Sequence, residues 1–200
     1  MKTLSHCDPD SPLTGSKTRL RAKAPTDAER DYLWQADPET ARLDATEPLK
    51  MTFSRYCAEY MKVLSFHSPE RRLFAIDTLD GKHIGNCSYY NIDWLSGEAE
   101  LGVMIGDTAH RGKGYGADAV NTLLFHIFEQ TDLKRIRLKT LWDNLRAQKC
   151  FRKCGFAASG EKTIEEHHFL IMEIDRKRWL KQTARNSVQT GTNAKRITRA

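Results

Sequence analysis

Hydrophobic and polar residues alternate most regularly between positions 135 and 141. Basic side chains lie there between apolar or β-branched ones, which predicts a strand with one buried face: Ile136, Leu138 and Thr140 alternate with Arg135, Arg137 and Lys139. Residues 73–77, 84–92 and 99–105 are also strand-like. The Asp80-Gly81 pair between the first two is a strong hairpin signal.

Helical patterns alternate with these strands. Residues 25–29 form a turn that enters a helix, and further helices are predicted at 52–64, 117–130 and 144–154. Gly155 is a suitable stop for the last of them. Short strands are expected at 18–22, 156–158 and 168–174. The order β-α-α-β-β-β-α-β-α-β-β predicts an α/β layered domain around a mixed sheet.

The length of 200 residues fits one domain whose core needs no disulfide or metal for stability. We expect this domain to span residues 17–180. Residues 1–16 lack apolar periodicity and contain Pro9, Pro12 and Gly15, while residues 181–200 are polar and basic. Both ends are therefore predicted to be flexible.

The composition excludes several classes of protein. No apolar run approaches the ~20 residues that span a membrane, and the N-terminus lacks the apolar segment of a secretory signal. The five cysteines are an odd set without a C-x-x-C pair, which favours reduced thiols over a metal site or a redox pair. We therefore expect a cytoplasmic protein without a bound metal.

The net charge of +6 is unevenly distributed. Residues 176–200 contain eight basic residues and no acidic one, which leaves −2 for residues 1–175. A basic tail on a mildly acidic domain differs from a basic nucleic-acid-binding domain. We expect the tail to be solvated, and contact with RNA or a ribosome through phosphates is the alternative.

The most specific chemical signal is the segment Arg111-Gly112-Lys113-Gly114-Tyr115-Gly116, which precedes the helix at 117–130. Alternating glycines let the backbone approach a ligand, and the free N–H groups at a helix start bind anions, most often a phosphate. A Walker loop is excluded, because Gly106 lies six residues before Gly112 and no Ser or Thr follows Lys113. A dinucleotide fingerprint also fails on the glycine spacing and the missing acidic residue.

At this loop the sequence resembles the Gcn5-related N-acetyltransferase (GNAT) superfamily, whose motif is R/Q-x-x-G-x-G/A. Arg111, Gly114 and Gly116 match its fixed positions. Residues 99–102 look like the family's preceding strand, and residues 144–156 look like its second cofactor helix. The resemblance covers roughly residues 17–180 and is closest to the RimJ/RimL-type ribosomal-protein and spermidine acetyltransferase branch.

The resemblance implies the GNAT fold, a mixed and mostly antiparallel sheet with helices on both faces and a splayed cofactor cleft. It also implies acetyl-CoA as the cofactor. In the family, the strand before the loop runs along the pantetheine arm, the loop holds the pyrophosphate, and the second helix completes the site. The implied binding residues are Val103, Met104, Ile105, Arg111, Gly112, Lys113, Gly114, Tyr115, Gly116, Asn144 and Phe151.

The implied reaction is direct attack of a primary amine on acetyl-CoA in a ternary complex. The amine has a pKa near ~10, so it arrives protonated and needs a base. Glu100 occupies the position where this branch often carries its carboxylate, usually acting through water. The alternative is that Glu98 and Glu100 are solvated residues of an edge strand.

Phe151 is where the chain departs from the family, since many members have a tyrosine there that protonates the leaving thiolate. Phenylalanine cannot donate a proton, so the sequence leaves the proton donor unassigned; the thiolate can leave with water as the proton source. The neighbouring Cys150 is expected to point elsewhere, because adjacent helix residues diverge by about 100°.

The sequence leaves the acceptor open among a protein N-terminus, a polyamine and another small amine. A homodimer is a further expectation from the family. The alternative function is a non-catalytic, CoA-binding regulator whose basic tail contacts nucleic acid.

Overall fold

Eight strands form a single sheet within the residues that the computed structural model describes, 12–66 and 68–185. They are β1 (Leu13–Thr14), β2 (Thr18–Ala22), β3 (Arg71–Thr78), β4 (His83–Asp93), β5 (Glu98–Ile105), β6 (Arg135–Leu141), β7 (Ala157–Ile164) and β8 (His167–Asp175). Their order in the sheet is β1-β2-β3-β4-β5-β6-β8-β7. Every neighbouring pair is antiparallel except β5 with β6, which is parallel. The mixed, mostly antiparallel sheet predicted from the sequence is confirmed.

Helices cover both faces of this sheet. They are α1 (Ala28–Ala36), α2 (Pro38–Leu43), α3 (Phe53–Ser65), α4 (Tyr115–Gln130) and α5 (Leu145–Lys153), and residues 176–185 are also helical. In the described part of the chain, no helix is long and apolar enough to cross a membrane.

The main core lies between α4 and one face of the sheet. The inward side of α4 is fully buried, with Val120, Leu123, Leu124, Ile127 and Phe128 recurring at the three- and four-residue spacing of a helix face. This side packs in one apolar cluster with strand residues from β2, β3, β4, β5, β6 and β8. The apolar stripe therefore sets which side of α4 faces the sheet.

The opposite face of β2, β3 and β4 carries a buried ionic cluster under α1, formed by Arg21, Lys23, Asp27, Asp31, Asp77, His83 and Asn86. Arg21 lies 2.7 Å from both Asp27 and Asp77. Lys23 pairs with Asp31, and both side chains are more than nine-tenths buried. These pairs join α1 and the turn before it to the sheet.

Asp31 is the centre of this cluster. It accepts a hydrogen bond from the Nδ2 atom of Asn86 at 2.7 Å and lies 3.2 Å from the Nε2 atom of His83. Burial by itself would raise the carboxyl pKa, but the interactions with His83, Lys23 and Asn86 outweigh burial and lower the pKa of Asp31 to about 2. The carboxylate therefore stays charged inside the protein.

The parallel strands β5 and β6 separate after a short paired stretch. Their register covers only three pairs, from Glu98 with Arg135 to Glu100 with Arg137. Beyond Glu100, β5 continues to pair with β4 on its other side as far as Ile105, and β6 continues to pair with β8. The edge of β5 from Leu101 to Ile105 therefore faces a gap instead of β6.

Most predicted elements lie within one or two residues of the observed ones, and β2 and β6 have the predicted bounds. Three differences stand out. β7 extends to Ile164, well beyond the predicted residue 158. The short helix α2 was not predicted, and neither was the helix at 176–185, which crosses the expected domain boundary at residue 180.

Residues 12–16, which belong to the arm predicted to be flexible, make specific contacts with the domain. β1 pairs with β2, and the side chain and N–H of Ser16 donate hydrogen bonds to Asp118 at 2.6 and 3.0 Å. Periodicity could not reveal this, because a two-residue strand is too short to show a pattern. Residues 1–11 and 186–200 lie outside the described residues.

Replacing Asp31 with Asn is expected to lower the free energy of unfolding by about 3–5 kcal/mol at neutral pH, because Lys23 would stay buried without its counter-charge. Urea denaturation measures this difference. The double variant Lys23→Gln/Asp31→Asn should be less destabilised than Asp31→Asn alone. Asp132→Asn, a change of the same kind at an exposed position, should stay within about 0.5 kcal/mol of the wild type.

Acid sensitivity offers a second measurement on the same variant. The folded-state pKa of Asp31, about 2, lies below its ordinary value of 3.8. The stability that Asp31 contributes is therefore complete above about pH 4 and is lost as the pH falls towards 2. The stability difference between the wild type and Asp31→Asn should shrink over this window, and a difference that does not change with pH would contradict the assignment.

Candidate active site

A cleft of about 380 Å³ opens where β5 and β6 separate. The end of β5, the glycine loop, the start of α4 and one face of α5 line it, together with Thr40 and Leu43 of α2. Most of the residues expected to bind the cofactor come together here: Val103, Met104, Ile105, Arg111, Gly112, Gly114, Gly116, Asn144 and Phe151. Lys113, Tyr115 and Glu100 are not among the lining residues.

The glycine loop has the backbone shape that its sequence indicates. Gly112 and Gly114 both have positive φ, +74° and +90°. Gly114 is the N-cap of α4, and an added Cβ at Gly112 would meet no protein atom within 4 Å. The loop therefore presents open backbone to the cleft, next to the N–H groups of the first turn of α4.

Arg111 links this loop to neighbouring elements. Its Nε atom donates to the carbonyl oxygen of Ile105 at 2.8 Å, and its second guanidinium nitrogen donates to Gly106 and to the hydroxyl of Thr40. The side chain thus ties the loop to the end of β5 and to α2. In this arrangement Arg111 positions the loop, and backbone groups are left to meet a ligand.

A second support comes from Asp118 in the first turn of α4. Its carboxylate accepts hydrogen bonds from the backbone of Ser16, Lys17 and Thr18 and from the Ser16 and Thr18 hydroxyls, at 2.6 to 3.0 Å. Lys17 also donates to the carbonyl oxygen of Lys113 and lies 5.7 Å from the ring of Tyr115. Residues 16–18 thereby hold the loop in place, a contact that sequence patterns did not indicate.

The helix α5 forms the wall opposite β5. Asn144 caps it, with Oδ1 accepting from the N–H of Ala147 at 3.1 Å. Phe151 is buried and packs edge-on against Phe156, and its ring has no proton to donate. The expectation that Cys150 points away is wrong, because Cys150 lines the same cleft close to Gly116. Cys150 and Phe151 both line the cleft, although they are adjacent on the helix.

Sequence reasoning missed a basic stripe on α5. Arg146, Lys149 and Lys153 recur at i, i+3 and i+7, which places them on one helix face, and all three line the cleft. Their spacing could have been read from the sequence. This stripe makes the α5 wall of the cleft positively charged.

Glu100 lies in a separate cavity of about 310 Å³, at the start of β5. It accepts a hydrogen bond from the Nδ2 atom of Asn91 at 2.9 Å. Glu98 lines the same cavity but is paired with Arg137 at 2.8 Å and with Arg135 at 3.5 Å. The charge of Glu98 is therefore compensated by the two arginines. Glu100 has no ion-pair partner among the described residues.

Tyr90 lies beside Glu100 on the neighbouring strand. It faces Glu100 across the β4–β5 pair, and its ring lies over Gly102, where an added Cβ would be 3.5 Å from Cε1. Burial, then the charge of Glu100 and the hydrogen bond with it, raise the pKa of Tyr90 to about 12. The Tyr90 hydroxyl thus stays protonated at neutral pH.

The residues that line the cleft have the chemical character needed to bind coenzyme A. The open glycine loop and the basic stripe of α5 can bind the phosphates of coenzyme A, which are anions. The unpaired strand edge at Leu101–Ile105 can form hydrogen bonds with its amide-containing arm. Both are present on neighbouring walls of one cleft.

Comparison with known proteins agrees with this geometry. The family model of the acetyltransferase (GNAT) domain matches residues 17–157. The chain therefore belongs to the GNAT family, and it is an acetyl-CoA-dependent N-acetyltransferase, which transfers an acetyl group to an amine. The resemblance stated from the sequence, the expected fold and the expected cofactor are confirmed.

Among individual relatives, an uncharacterized N-acetyltransferase p20 of Bacillus licheniformis is 28% identical over 74% of this chain and 83% of its own length. A spermine/spermidine N(1)-acetyltransferase of Bacillus subtilis is 24% identical over 78% of this chain and 99% of its own.

Among solved structures, spermidine N-acetyltransferase from Vibrio cholerae in complex with CoA and spermine has a TM-score of 0.74 at 23% identity, covering 82% of this chain and 99% of that one. An aminoglycoside acetyltransferase, AAC(6')-Ib with coenzyme A, has a TM-score of 0.67 at 21% identity, covering 82% and 98%. At these identities the likeness concerns the fold.

The glycine loop gives a matched pair of variants. Gly114→Ala is expected to lower the free energy of unfolding by about 1–2 kcal/mol, because a Cβ is strained at its φ of +90°. Relief of that strain by movement of the loop should weaken coenzyme A binding by about tenfold. Denaturation and calorimetric titration with coenzyme A measure the two effects.

Gly116→Ala is the control for this prediction. Its added Cβ would lie 3.5 Å from the Cγ1 atom of Ile105 and 3.8 Å from the Sγ atom of Cys150, which are ordinary contacts. Stability and coenzyme A affinity should stay close to the wild type. Equal losses in the two variants would contradict the role given to the loop's backbone conformation.

Proposed function

We propose that the acceptor is a small polyamine and that acetyl transfer occurs in one ternary complex. The observation that carries this proposal is the Glu100 carboxylate without an ion-pair partner, in a cavity on the strand that lines the cofactor cleft. A carboxylate at that place both attracts a cationic amine and can take its proton. Relatives named as spermine and spermidine acetyltransferases match over most of this chain, which supports the same acceptor class.

The cofactor half of the site follows from the walls of the cleft. We assign the open backbone of Gly112, Lys113 and Gly114 and the start of α4 to the pyrophosphate. Arg146, Lys149 and Lys153 supply positive charge for the phosphates. The free edge at Val103–Ile105 and the amide of Asn144 are assigned to the pantetheine arm, with Phe151 as its apolar wall.

In the reaction, bound acetyl-CoA supplies the acetyl group as a thioester. Glu100 accepts the ammonium proton of the acceptor, directly or through water, and Asn91 and Tyr90 hold its carboxylate in place. A backbone N–H on the free edge of β5 polarises the carbonyl group, an effect worth a few kcal/mol. Phe151 cannot protonate the leaving thiolate, so the proton comes from water or from another group of the cleft.

The alternative of a non-catalytic regulator rested on Phe151 alone, and no observation of the structure favours it. Contact of the basic tail with nucleic acid stays a prediction, since most of the tail lies outside the described residues, and so does the homodimer. We propose the cytoplasm as the location, because Cys57, Cys87, Cys150 and Cys154 are free thiols.

The acceptor proposal predicts release of free thiol from acetyl-CoA with spermidine or spermine. The measurement is a thiol assay across a panel of polyamines, aminoglycosides, amino acids and N-terminal peptides. A kcat/KM at least about tenfold higher for polyamines than for the other classes is expected, a difference of about 1.4 kcal/mol in transition-state binding. A higher value for peptides or aminoglycosides would contradict the polyamine proposal.

Replacing Glu100 with Gln is expected to lower kcat by about 10²-fold or more, because the proton acceptor is lost. Raising the pH towards the pKa of the amine should restore part of the rate in this variant, since the acceptor then arrives neutral. Glu98→Gln is the control and should have a much smaller effect, because Glu98 is paired with arginines. An unchanged kcat in Glu100→Gln would assign the base elsewhere.

A further inference from the structure

His110 is a histidine of the cofactor cleft to which the proposed reaction gives no role. It lies between the end of β5 and the glycine loop, in a single 3-10 turn at Thr108–His110. The residue lines the cleft together with Gly112 and Gly114. Its side chain is only 18% exposed, so the surrounding protein, and not solvent, restricts where the ring can point.

Asp107 fixes one edge of this ring. The Nδ1 atom of His110 lies 3.2 Å from Oδ2 of Asp107 and is enclosed by the protein. Asp107 is held in turn, because its Oδ1 accepts from the N–H of Ala109 at 2.9 Å and its Oδ2 pairs with Lys82 at 2.7 Å. Burial by itself would raise the carboxyl pKa of Asp107, but these contacts outweigh burial and lower the pKa to about 2. The carboxylate beside Nδ1 therefore stays charged.

Tyr115, the first residue of α4, fixes the ring of His110 from a second direction. The two rings meet edge to face, with their centroids 5.0 Å apart and their planes at 73°. The Nε2 atom of His110 makes no hydrogen bond with any described residue and, unlike Nδ1, it is not enclosed. A largely buried histidine thus keeps one accessible nitrogen in the cofactor cleft.

The protonation state of the ring decides what this nitrogen can bind. With a proton on Nδ1 facing Asp107, the neutral ring presents Nε2 as a lone pair, which a phosphate oxygen repels. The imidazolium presents Nε2 as a charged donor, for which a phosphate oxygen is a strong acceptor.

The other ionisable groups around His110 come from three parts of the fold. They are Asp107 and Arg111 of its own segment, Tyr115 of α4, and Asp80 and Lys82 of the turn between β3 and β4. Lys82 is already paired with Asp107. The guanidinium of Arg111 donates to neighbouring oxygens.

We propose that His110, as an imidazolium, donates a hydrogen bond from Nε2 to a phosphate oxygen of bound coenzyme A. This inference rests on the cofactor half of the proposed function, in which the glycine loop binds the pyrophosphate. Because His110 lies next to that loop, a pyrophosphate oxygen is the expected acceptor, and the 3′-phosphate is the other source of the same chemistry. Coenzyme A binding should weaken as the pH rises and the imidazolium loses its proton.

The test is calorimetric titration of the wild type and His110→Gln with coenzyme A from about pH 5.5 to about pH 8.5. At the low end, His110→Gln should bind about 10- to 100-fold more weakly, the range expected for one charged hydrogen bond. At the high end the difference should fall to within about threefold, because the wild-type ring is then neutral. The phosphates of the ligand titrate alike with both proteins and cancel from the comparison. His110→Lys, which keeps a positive charge, should retain part of the affinity.

His167→Gln is the matched control. His167 is half-buried like His110 and meets the ring of Phe169 edge-on at 6.1 Å, but it lines neither of the two cavities. Its coenzyme A affinity should equal that of the wild type at every pH.

Dephospho-coenzyme A, which lacks the 3′-phosphate, separates the two sources of phosphate. An equal loss with both ligands in His110→Gln places the contact at the pyrophosphate, and a loss with coenzyme A alone places it at the 3′-phosphate. In the thiol assay, the KM for acetyl-CoA should rise in this variant while kcat stays close to the wild type.

Thermal unfolding is measured for every variant. If His110→Gln does not fold, ¹⁵N NMR of the wild-type histidine rings is the second measurement. In the coenzyme A complex at about pH 7, both ring nitrogens of His110 should carry protons, a state that a structural role does not require.

Three results overturn the proposal. They are an unchanged coenzyme A affinity in His110→Gln, a loss of affinity that does not vary with pH, and a neutral His110 ring in the complex. Failure of the proposed function is distinct, because in that case the wild type itself binds no coenzyme A or releases no thiol with any amine.

Discussion

The separation of β5 from β6 is the constraint on which the site depends. Three residue pairs hold the two strands together, and beyond Glu100 each strand keeps only its outer neighbour. The gap leaves one edge of β5 unpaired, and α4 and α5 enter it from the same face of the sheet. An unpaired strand edge beside a helix N-terminus can bind an amide-containing arm and a phosphate at once. The cofactor cleft is thus a consequence of incomplete strand pairing.

The opposite face of the sheet depends on a different interaction. The buried ionic cluster joins α1 to β2, β3 and β4, and its charges compensate one another through pairs such as Lys23 with Asp31. The cluster fixes the position of α1 on the sheet, because shifting α1 would leave a buried charge without its partner. Helix α2 follows α1 directly, so this anchoring also sets where α2 meets the cleft.

Local patterns predicted much of the fold. The alternation at 135–141, the Asp80-Gly81 turn and the glycine loop depend on neighbours a few residues apart, and the structure has each of them where expected. Elements without a local pattern were missed. β1 has two residues and exists through pairing with β2 and the bonds of Ser16 to Asp118. The six-residue α2 is too short for an apolar period to show.

The sequence by itself determined the family, the cofactor and most of the residues around the cleft, because the backbone shape of the loop and the apolar faces of the helices are local properties. Only the tertiary structure decided that Cys150 reaches the cleft beside Gly116 and that Arg111 donates a hydrogen bond to Thr40 on α2. These contacts join residues far apart in the chain. They depend on the separation of β5 from β6 and on where α2 and α5 pack, which no short-range pattern encodes.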